Sequence, residues 1–198
     1  MVELAERIAV VGAPGAGKST LARALSALGY AHLELDALRH QANWRQAPDA
    51  EVDARIKAFL TREPRWVIDG NYAMHRERIW PATECVVWLD LPRHVTTASC
   101  GWRTLRRLVT RERLWNGNRE SVRNLLILDP EASVVAWSFQ KHAGYRREFA
   151  ALRRDPRWEP LRWHHVRSRR ASHALLREAR QQGGLRLPAE GRDLPSAR

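Results

Sequence analysis

The sequence predicts an α/β fold of three layers, in which helices cover both faces of a five-stranded parallel sheet. Short apolar runs alternate with longer amphipathic segments along the chain, which is the pattern of successive βα units. The runs are rich in β-branched and aromatic residues and too short to be helices. No internal repeat competes with this reading. Strands are expected over 7–11, 32–35, 66–68, 86–89 and 161–166, and helices over 18–28, 49–60, 94–111 and 172–182, with one more between 131 and 153. One domain over 1–182 accounts for this pattern, with a lid region about 100–125. From 183 to 198 the composition turns to Gly, Pro and charge without periodicity, so this stretch is expected to be a disordered tail.

A chain of 198 residues can bury a sizeable core without disulfides or metals. Cys85 heads an apolar strand and Cys100 falls in a helical stretch; neither has a second thiol or a histidine at metal-ligand spacing, so both are expected reduced and structural. No segment reads as a signal peptide or as a membrane span, which implies a cytoplasmic protein, monomeric or homodimeric, without a membrane partner. The net charge of +12 is carried by arginine, since Lys18, Lys57 and Lys141 are the only lysines. Such charge admits a nucleic-acid partner. It is spread over several helices among Asp and Glu, however, so that partner is not favoured, and only 103–113 is dense enough to need a local explanation.

Gly12-Ala13-Pro14-Gly15-Ala16-Gly17-Lys18-Ser19 matches the Walker A pattern without a mismatch, follows an apolar strand and opens an Ala/Leu-rich helix. Together with Thr20 these residues are the candidate cofactor site, and the class becomes a P-loop NTPase fold. Glycines let successive backbone N–H groups turn toward phosphate oxygens, and the helix start adds its positive end to the same anion. Lys18 would reach the β- and γ-phosphates of ATP, and the Ser19 hydroxyl would join the shell of Mg²⁺.

Ligands of open parallel sheets sit beyond the carboxyl ends of the strands, so acidic residues there are candidates for chemistry. Asp69 ends Trp66-Val67-Ile68-Asp69-Gly70 and Asp90 ends Val86-Val87-Trp88-Leu89-Asp90; either suits the Walker B acid. Asp36 ends His32-Leu33-Glu34-Leu35-Asp36, one βα unit after the loop, where a carboxylate would orient an acceptor hydroxyl or take its proton. The competing role for each is a cap on the following helix, strongest for Asp90 and weakest for Asp36. Arg103, Arg106, Arg107, Arg111 and Arg113 recur near helical spacing, so that one or more can face a single triphosphate. The turn-rich 113–120 suits a lid tip or a substrate-reading loop.

These motifs resemble the nucleoside and nucleotide kinase group of P-loop proteins, which includes adenylate, shikimate and gluconate kinases. The likeness covers most of the first 110 residues. Asp36-Ala37-Leu38-Arg39 is similar to the Asp-Met-Leu-Arg segment of adenylate kinases, whose arginine contacts the acceptor's phosphate, and 66–70 looks like their strand before Asp-Gly-Phe-Pro-Arg, whose Asp lies near Mg²⁺. The likeness on Leu35-Asp36-Ala37-Leu38, Val67-Ile68-Asp69-Gly70-Asn71-Tyr72 and Leu89-Asp90-Leu91-Pro92-Arg93 is to bacterial proteins labelled adenylate-kinase-like or "DNA topology modulation". Asn71-Tyr72-Ala73 replaces Phe-Pro-Arg, so one arginine placed on AMP is missing and Arg76 and Arg78 are the nearby stand-ins. The resemblance also puts Trp44 beside the acceptor, where its ring would stack on a base or sugar.

The expectation is therefore an ATP-dependent kinase for a small nucleoside, nucleotide or other hydroxyl- or phosphate-bearing acceptor. Lys18, Asp36, Arg103, Arg106 and Arg107 are the catalytic candidates. Asp36, Arg39, Trp44, Asp69, Tyr72 and Arg76 are the substrate candidates, and Ser19 with Asp69 the metal candidates. The alternative is a nucleotide-dependent NTPase that grips nucleic acid or protein, and a kinase of nucleic-acid ends would use the same core.

Overall fold

The computed structural model describes residues 3–118 and 133–188. Five strands, β1 (Arg7–Gly12), β2 (Ala31–Glu34), β3 (Trp66–Asp69), β4 (Cys85–Leu89) and β5 (Arg162–Val166), form one sheet in the order β2-β3-β1-β4-β5 with every pair parallel. The helices are α1 (Lys18–Ser26), α2 (Leu35–Arg39), α3 (Asp49–Arg62), α4 (Arg76–Ile79), α5 (Arg93–Thr110), α6 (Val134–Leu152) and α7 (Arg169–Gln182). Central β1 lies between β3 and β4, so the loop that leaves its carboxyl end opens at the middle of the sheet, where α/β proteins bind ligands.

Side chains alternate across each strand, which divides the core in two. Ala9, Val11, Ile68, Val86 and Trp88 face a layer built on Val52, Ile56 and Phe59 of α3, Ile79 of α4 and Phe149 of α6. Ile8, Val10, Val67, Val87 and Leu89 face Leu21 and Leu25 of α1 and Leu175 of α7. The three layers thus follow from strands that are apolar on both faces and helices that are apolar on one. Ser133 and Ser168 cap α6 and α7 by accepting hydrogen bonds from the Ala136 and Ala171 amides, at 3.3 and 3.1 Å. Both cysteines are free and buried. Among the described residues no helix is long and apolar enough to cross a membrane.

Two boundaries differ from expectation. β2 ends at Glu34, not beyond Leu35, because Leu35 already opens α2; Asp36 therefore sits in the first turn of a short helix, and Glu34 is the carboxylate at the strand tip. The first part of the tail expected from 183 is docked, through 188. Leu185 is buried, its carbonyl accepts from the Ala5 amide at 2.7 Å, and Leu4 and Arg186 form an antiparallel bridge. The single leucine at 185 supplies the anchor that composition alone hides. The rest of that stretch, 189–198, and the lid portion 119–125 lie outside the described residues, as do the first residues of the span 131–153 that holds α6.

The anchor is closed by one hydroxyl. Tyr30 Oη donates to the Ala5 carbonyl at 2.7 Å and accepts from the Leu185 amide at 3.0 Å, with the whole side chain buried. Tyr30→Phe leaves that carbonyl and amide buried without their partner, so we expect a loss of about 1–3 kcal/mol in unfolding free energy by urea titration. An unchanged midpoint refutes the anchor.

Candidate functional site

The loop between β1 and α1 is held from four sides. Gly12, at φ +144°, passes so close to β4 that a Cβ there would lie 2.5 Å from the Leu89 carbonyl oxygen. A Cβ on Gly15, at φ +80°, would lie 2.1 Å from the Thr96 carbonyl oxygen of α5. Asn71, directly after β3, acts like a piece of backbone: its Oδ1 accepts from the Gly12 amide at 3.1 Å and its Nδ2 donates to the Gly12 carbonyl at 2.6 Å. Ser138 of α6 donates to the Pro14 carbonyl at 3.1 Å. Gly12 and Gly15 are thus demanded by neighbouring backbone. Gly17 differs, because a Cβ there would meet nothing, and its φ of +96° turns the chain into α1. No side chain caps α1, so its leading N–H groups remain free for an anion.

Lys18 lies back across this loop, with Nζ 3.0 Å from the Gly12 carbonyl and 3.4 Å from that of Ala13. Burial lowers its pKa from the ordinary lysine value, Asp36 and Asp69 pull it back up, and Arg103 pushes it down again. The ammonium thus feels a carboxylate of α2, a carboxylate of β3 and an arginine of α5.

Ser19 Oγ lies 3.0 Å from Glu34 Oε1 and 3.4 Å from Asp69 Oδ1. Asp69 is buried, and His32 Nε2 is 3.0 Å from its other oxygen. An all-oxygen set with one hydroxyl and two carboxylates fits Mg²⁺, which prefers oxygen ligands and retains several waters. Asp69 and not Asp90 is therefore the acid beside Ser19. Asp90 is neither the metal acid nor a helix cap: it is buried against His165 Nε2 at 2.9 Å and Arg146 Nε at 3.3 Å, while Pro92 takes the cap position of α5. Glu34 escaped the sequence reading because no helix was expected between β2 and residue 49, which gave the strand tip to Asp36.

On the acceptor side, Tyr72 Oη donates to Asp36 Oδ1 at 2.7 Å. Burial, then the adjacent Asp36 charge, push the Tyr72 hydroxyl far above the ordinary tyrosine pKa, so its proton stays in place in the hydrogen bond to Asp36. Tyr145 of α6 stands beside Asn71 and feels Asp36, and burial raises its pKa too. Neither Asn71 as a clamp nor Tyr145 carries a motif signal; Asn71 is visible only as the residue standing where kinase relatives have Phe.

The remaining candidates divide. Arg103, three residues from buried Cys100, has its Nη2 3.7 Å from that sulfur and its Nε buried without a hydrogen-bond partner among the described residues. Arg106 lies roughly 60° further round the helix from Arg103. It is largely exposed and 3.1 Å from Glu112, so it does not join the group around Lys18. Arg107 is mostly buried, 4.0 Å from Glu112 and 6.0 Å from the Trp115 ring. Arg39 holds the α2–α3 connection: it donates to the Ala47 carbonyl at 3.0 Å and to Gln46 at 3.1 Å, and pairs with Asp49. Arg76 pairs with Glu148 of α6 and lies over the Trp80 ring at 5.1 Å. Trp44, at φ +58°, is 38 % exposed and meets His40 and Trp115 in one aromatic cluster. The 113–118 connection docks there, with Asn118 Oδ1 accepting from the Trp44 amide at 3.0 Å and Asn116 Nδ2 donating to the His40 carbonyl at 2.6 Å. The flanking Arg119 and Glu120 lie outside the described residues.

A family model described as an AAA domain matches residues 8–123, which include the phosphate loop, Asp36, Asp69 and α5. No curated protein matches the chain. Among solved structures, a shikimate kinase from Acinetobacter baumannii in complex with shikimate is similar at 19 % identity and a TM-score of 0.53, over 89 % of this chain and 92 % of that one. This likeness concerns the fold. A gluconokinase from Sinorhizobium meliloti, at 21 % identity over 74 % of this chain and 94 % of that one, reaches a TM-score of only 0.37, too loose to carry an argument.

The two faces of α5 give a prediction. Arg103→Ala should lower turnover of ATP by about 10²–10³ while ATP affinity changes only a few-fold, because the guanidinium serves charge that develops during transfer. Arg106→Ala should stay within about twofold of wild type, as expected for an exposed ion pair. Steady-state kinetics with calorimetry for both variants checks this, and equal losses would remove the distinction.

Proposed function

We propose that this chain, which belongs to the AAA domain family, is an ATP-dependent small-molecule kinase that moves a phosphoryl group from Mg-ATP to a hydroxyl- or phosphate-bearing acceptor. The observation that carries the reading is that two carboxylate groupings meet the phosphate loop at the centre of the sheet: Ser19 Oγ lies 3.0 Å from Glu34 and 3.4 Å from Asp69, and Tyr72 holds Asp36, whose charge acts on Lys18 as do those of Asp69 and Arg103. A module that only grips nucleotide needs the loop and the metal residues. It has no use for a carboxylate such as Asp36, held by Tyr72 and felt by the loop lysine.

Roles follow from position. The loop amides and Lys18 would bind the β- and γ-phosphates, and Ser19, Asp69 and Glu34 would hold Mg²⁺, which when bound offsets phosphate charge. Arg103 would meet the γ-phosphoryl as charge spreads over its equatorial oxygens. Asp36 would orient the acceptor hydroxyl and take its proton, with Tyr72 fixing the carboxylate. Hydrolysis of ATP by water is the fallback activity of the same arrangement. A soluble cytoplasmic protein acting as monomer or homodimer completes the reading. The narrower likeness to adenylate-kinase-like proteins labelled "DNA topology modulation" rests on residues 67–72 and supplies no acceptor.

The test is a metabolite-extract screen for ATP-dependent products by ³¹P NMR, repeated with Lys18→Ala and Asp36→Asn. Lys18→Ala should weaken or abolish Mg-ATP binding. Asp36→Asn should keep ATP affinity within a few-fold yet slow product formation by about 10²–10⁴, the range for a lost general base. Futile hydrolysis without any phosphorylated product, together with a salt-dependent oligonucleotide shift, would replace the kinase with a nucleic-acid-binding NTPase.

A further inference from the structure

We infer that the acceptor is an uncharged, hydroxyl-bearing molecule of the sugar, polyol or nucleoside type, and not a phosphorylated or carboxylated one. This rests on the kinase reading and narrows it. In the transfer, the acceptor oxygen forms a bond to the γ-phosphorus as the bond from that phosphorus to the β,γ-bridging oxygen breaks. ADP leaves with the electron pair, and the acceptor's proton passes to Asp36.

The charge around this step is divided unequally. On the donor side, Lys18 faces the loop, and Arg103, whose charge acts on Lys18, has a buried Nε without a hydrogen-bond partner among the described residues. On the acceptor side, the arginines are already matched, Arg107 beside Trp115 lying 4.0 Å from Glu112. Arg76 is paired with Glu148 and stacked over Trp80, and only 14 % of its side chain is exposed. Arg39 is engaged by Asp49, the Ala47 carbonyl and Gln46, and is 15 % exposed. What faces the acceptor is hydrogen-bonding in character: the Asp36 carboxylate, the Tyr72 hydroxyl and Tyr145, beside the Asn71 amide that clamps the loop. A narrow cavity lined by Asn71, Tyr72, Arg76, Trp80 and Phe149 continues from that surface into the core.

An acceptor phosphate would have to displace Glu148 from Arg76 and lie near the Asp36 charge, so two like-charge contacts oppose it. A neutral hydroxyl donates to Asp36 and accepts from a tyrosine or amide without such opposition. Close by, His40 and Trp115 stack at 5.8 Å between centroids with Trp44 edge-on to both, an aromatic surface suited to a sugar or nucleoside ring. Glu148 is thus the specificity-determining residue: it spends the one acceptor-side cation of the cavity wall on itself.

The experiment measures binding of matched pairs to the full chain saturated with Mg²⁺ and a non-hydrolysable ATP analogue, which occupies the donor site. The pairs are adenosine and AMP, glucitol and gluconate, and glycerol and glycerate. Wild type should bind the anionic member of each pair at least about tenfold more weakly than the neutral one, or not at all, and Glu148→Gln should raise anion affinity by about tenfold or more. Adding Arg76→Met to Glu148→Gln should abolish that gain, since the freed guanidinium is then absent; circular dichroism verifies that each variant folds. Tighter binding of AMP, gluconate or glycerate by wild type overturns the inference. A folded Glu148→Gln that gains nothing for anions overturns it as well. Failure of the kinase reading is separate and shows as the absence of any phosphorylated product from ATP.

Discussion

The phosphate loop touches backbone at both of its tight glycines, and the rest of the site depends on this close approach. Gly12 meets the Leu89 carbonyl of β4 and Gly15 the Thr96 carbonyl of α5, each at a distance that admits no β-carbon. Asn71 and Ser138 add hydrogen bonds from the residue after β3 and from α6. A loop of this length, left to itself, would lose its shape to chain entropy. Clamped by four elements, it presents its amides at the head of α1 in one arrangement, which is the preorganisation that phosphate binding and transfer require. The same clamps fix the distances between the donor lysine, the metal residues and Asp36, because β3, α5 and α6 also carry those groups or their partners.

Much of this was legible in the sequence, and the failures have physical causes. The sheet, its flanking helices and the loop follow from period and from a motif with a mechanism. The register of β2 was misread by a residue or two, since His32-Leu33-Glu34-Leu35 alternates like a strand to its end while Leu35 in fact begins a helical turn. That small slip hid Glu34 and moved Asp36 from a strand tip to a helix. The docking of 183–188 rests on two apolar side chains, Leu185 and Leu187, and on the Tyr30 hydroxyl, too little signal to outweigh a polar composition. Arg106 and Arg103 look alike in a helical pattern; only the burial of Thr96, Cys100 and Thr104 shows which way α5 is turned.

The large positive charge also reads differently once partners are known. Arg7 pairs with Glu84, Arg39 with Asp49, Arg55 with Glu51, Arg65 with Glu6, Arg76 with Glu148 and Arg106 with Glu112. Several of these pairs are solvent-facing and add little stability. Their effect is on the field: each carboxylate cancels an arginine locally, so the arginine excess does not gather on those faces, and a nucleic-acid groove needs it gathered. Arg103 differs, with a buried Nε that has no hydrogen-bond partner among the described residues and a charge that acts on Lys18.

α5 connects the two halves of the reaction. Its second half-turn touches Gly15 through Thr96, its middle carries Arg103, whose charge acts on Lys18, and its end leads through Arg107 to Trp115. From there the 113–118 connection reaches back to the acceptor side, where Asn116 and Asn118 bond the carbonyls of His40 and Gln41. A helix is stiff along its axis, so a displacement at the acceptor end is not absorbed locally but carried toward Arg103 and the loop. Trp44 holds a left-handed backbone that a bulky residue adopts only under restraint, and the Asn118 side chain supplies that restraint. Under the proposed function, an acceptor that settled against Trp44 and Trp115 would press on the same element that carries Arg103. Occupancy of the acceptor site and readiness of the donor site would then be coupled through one rigid segment, a direct route by which such a fold can favour transfer to an acceptor over transfer to water.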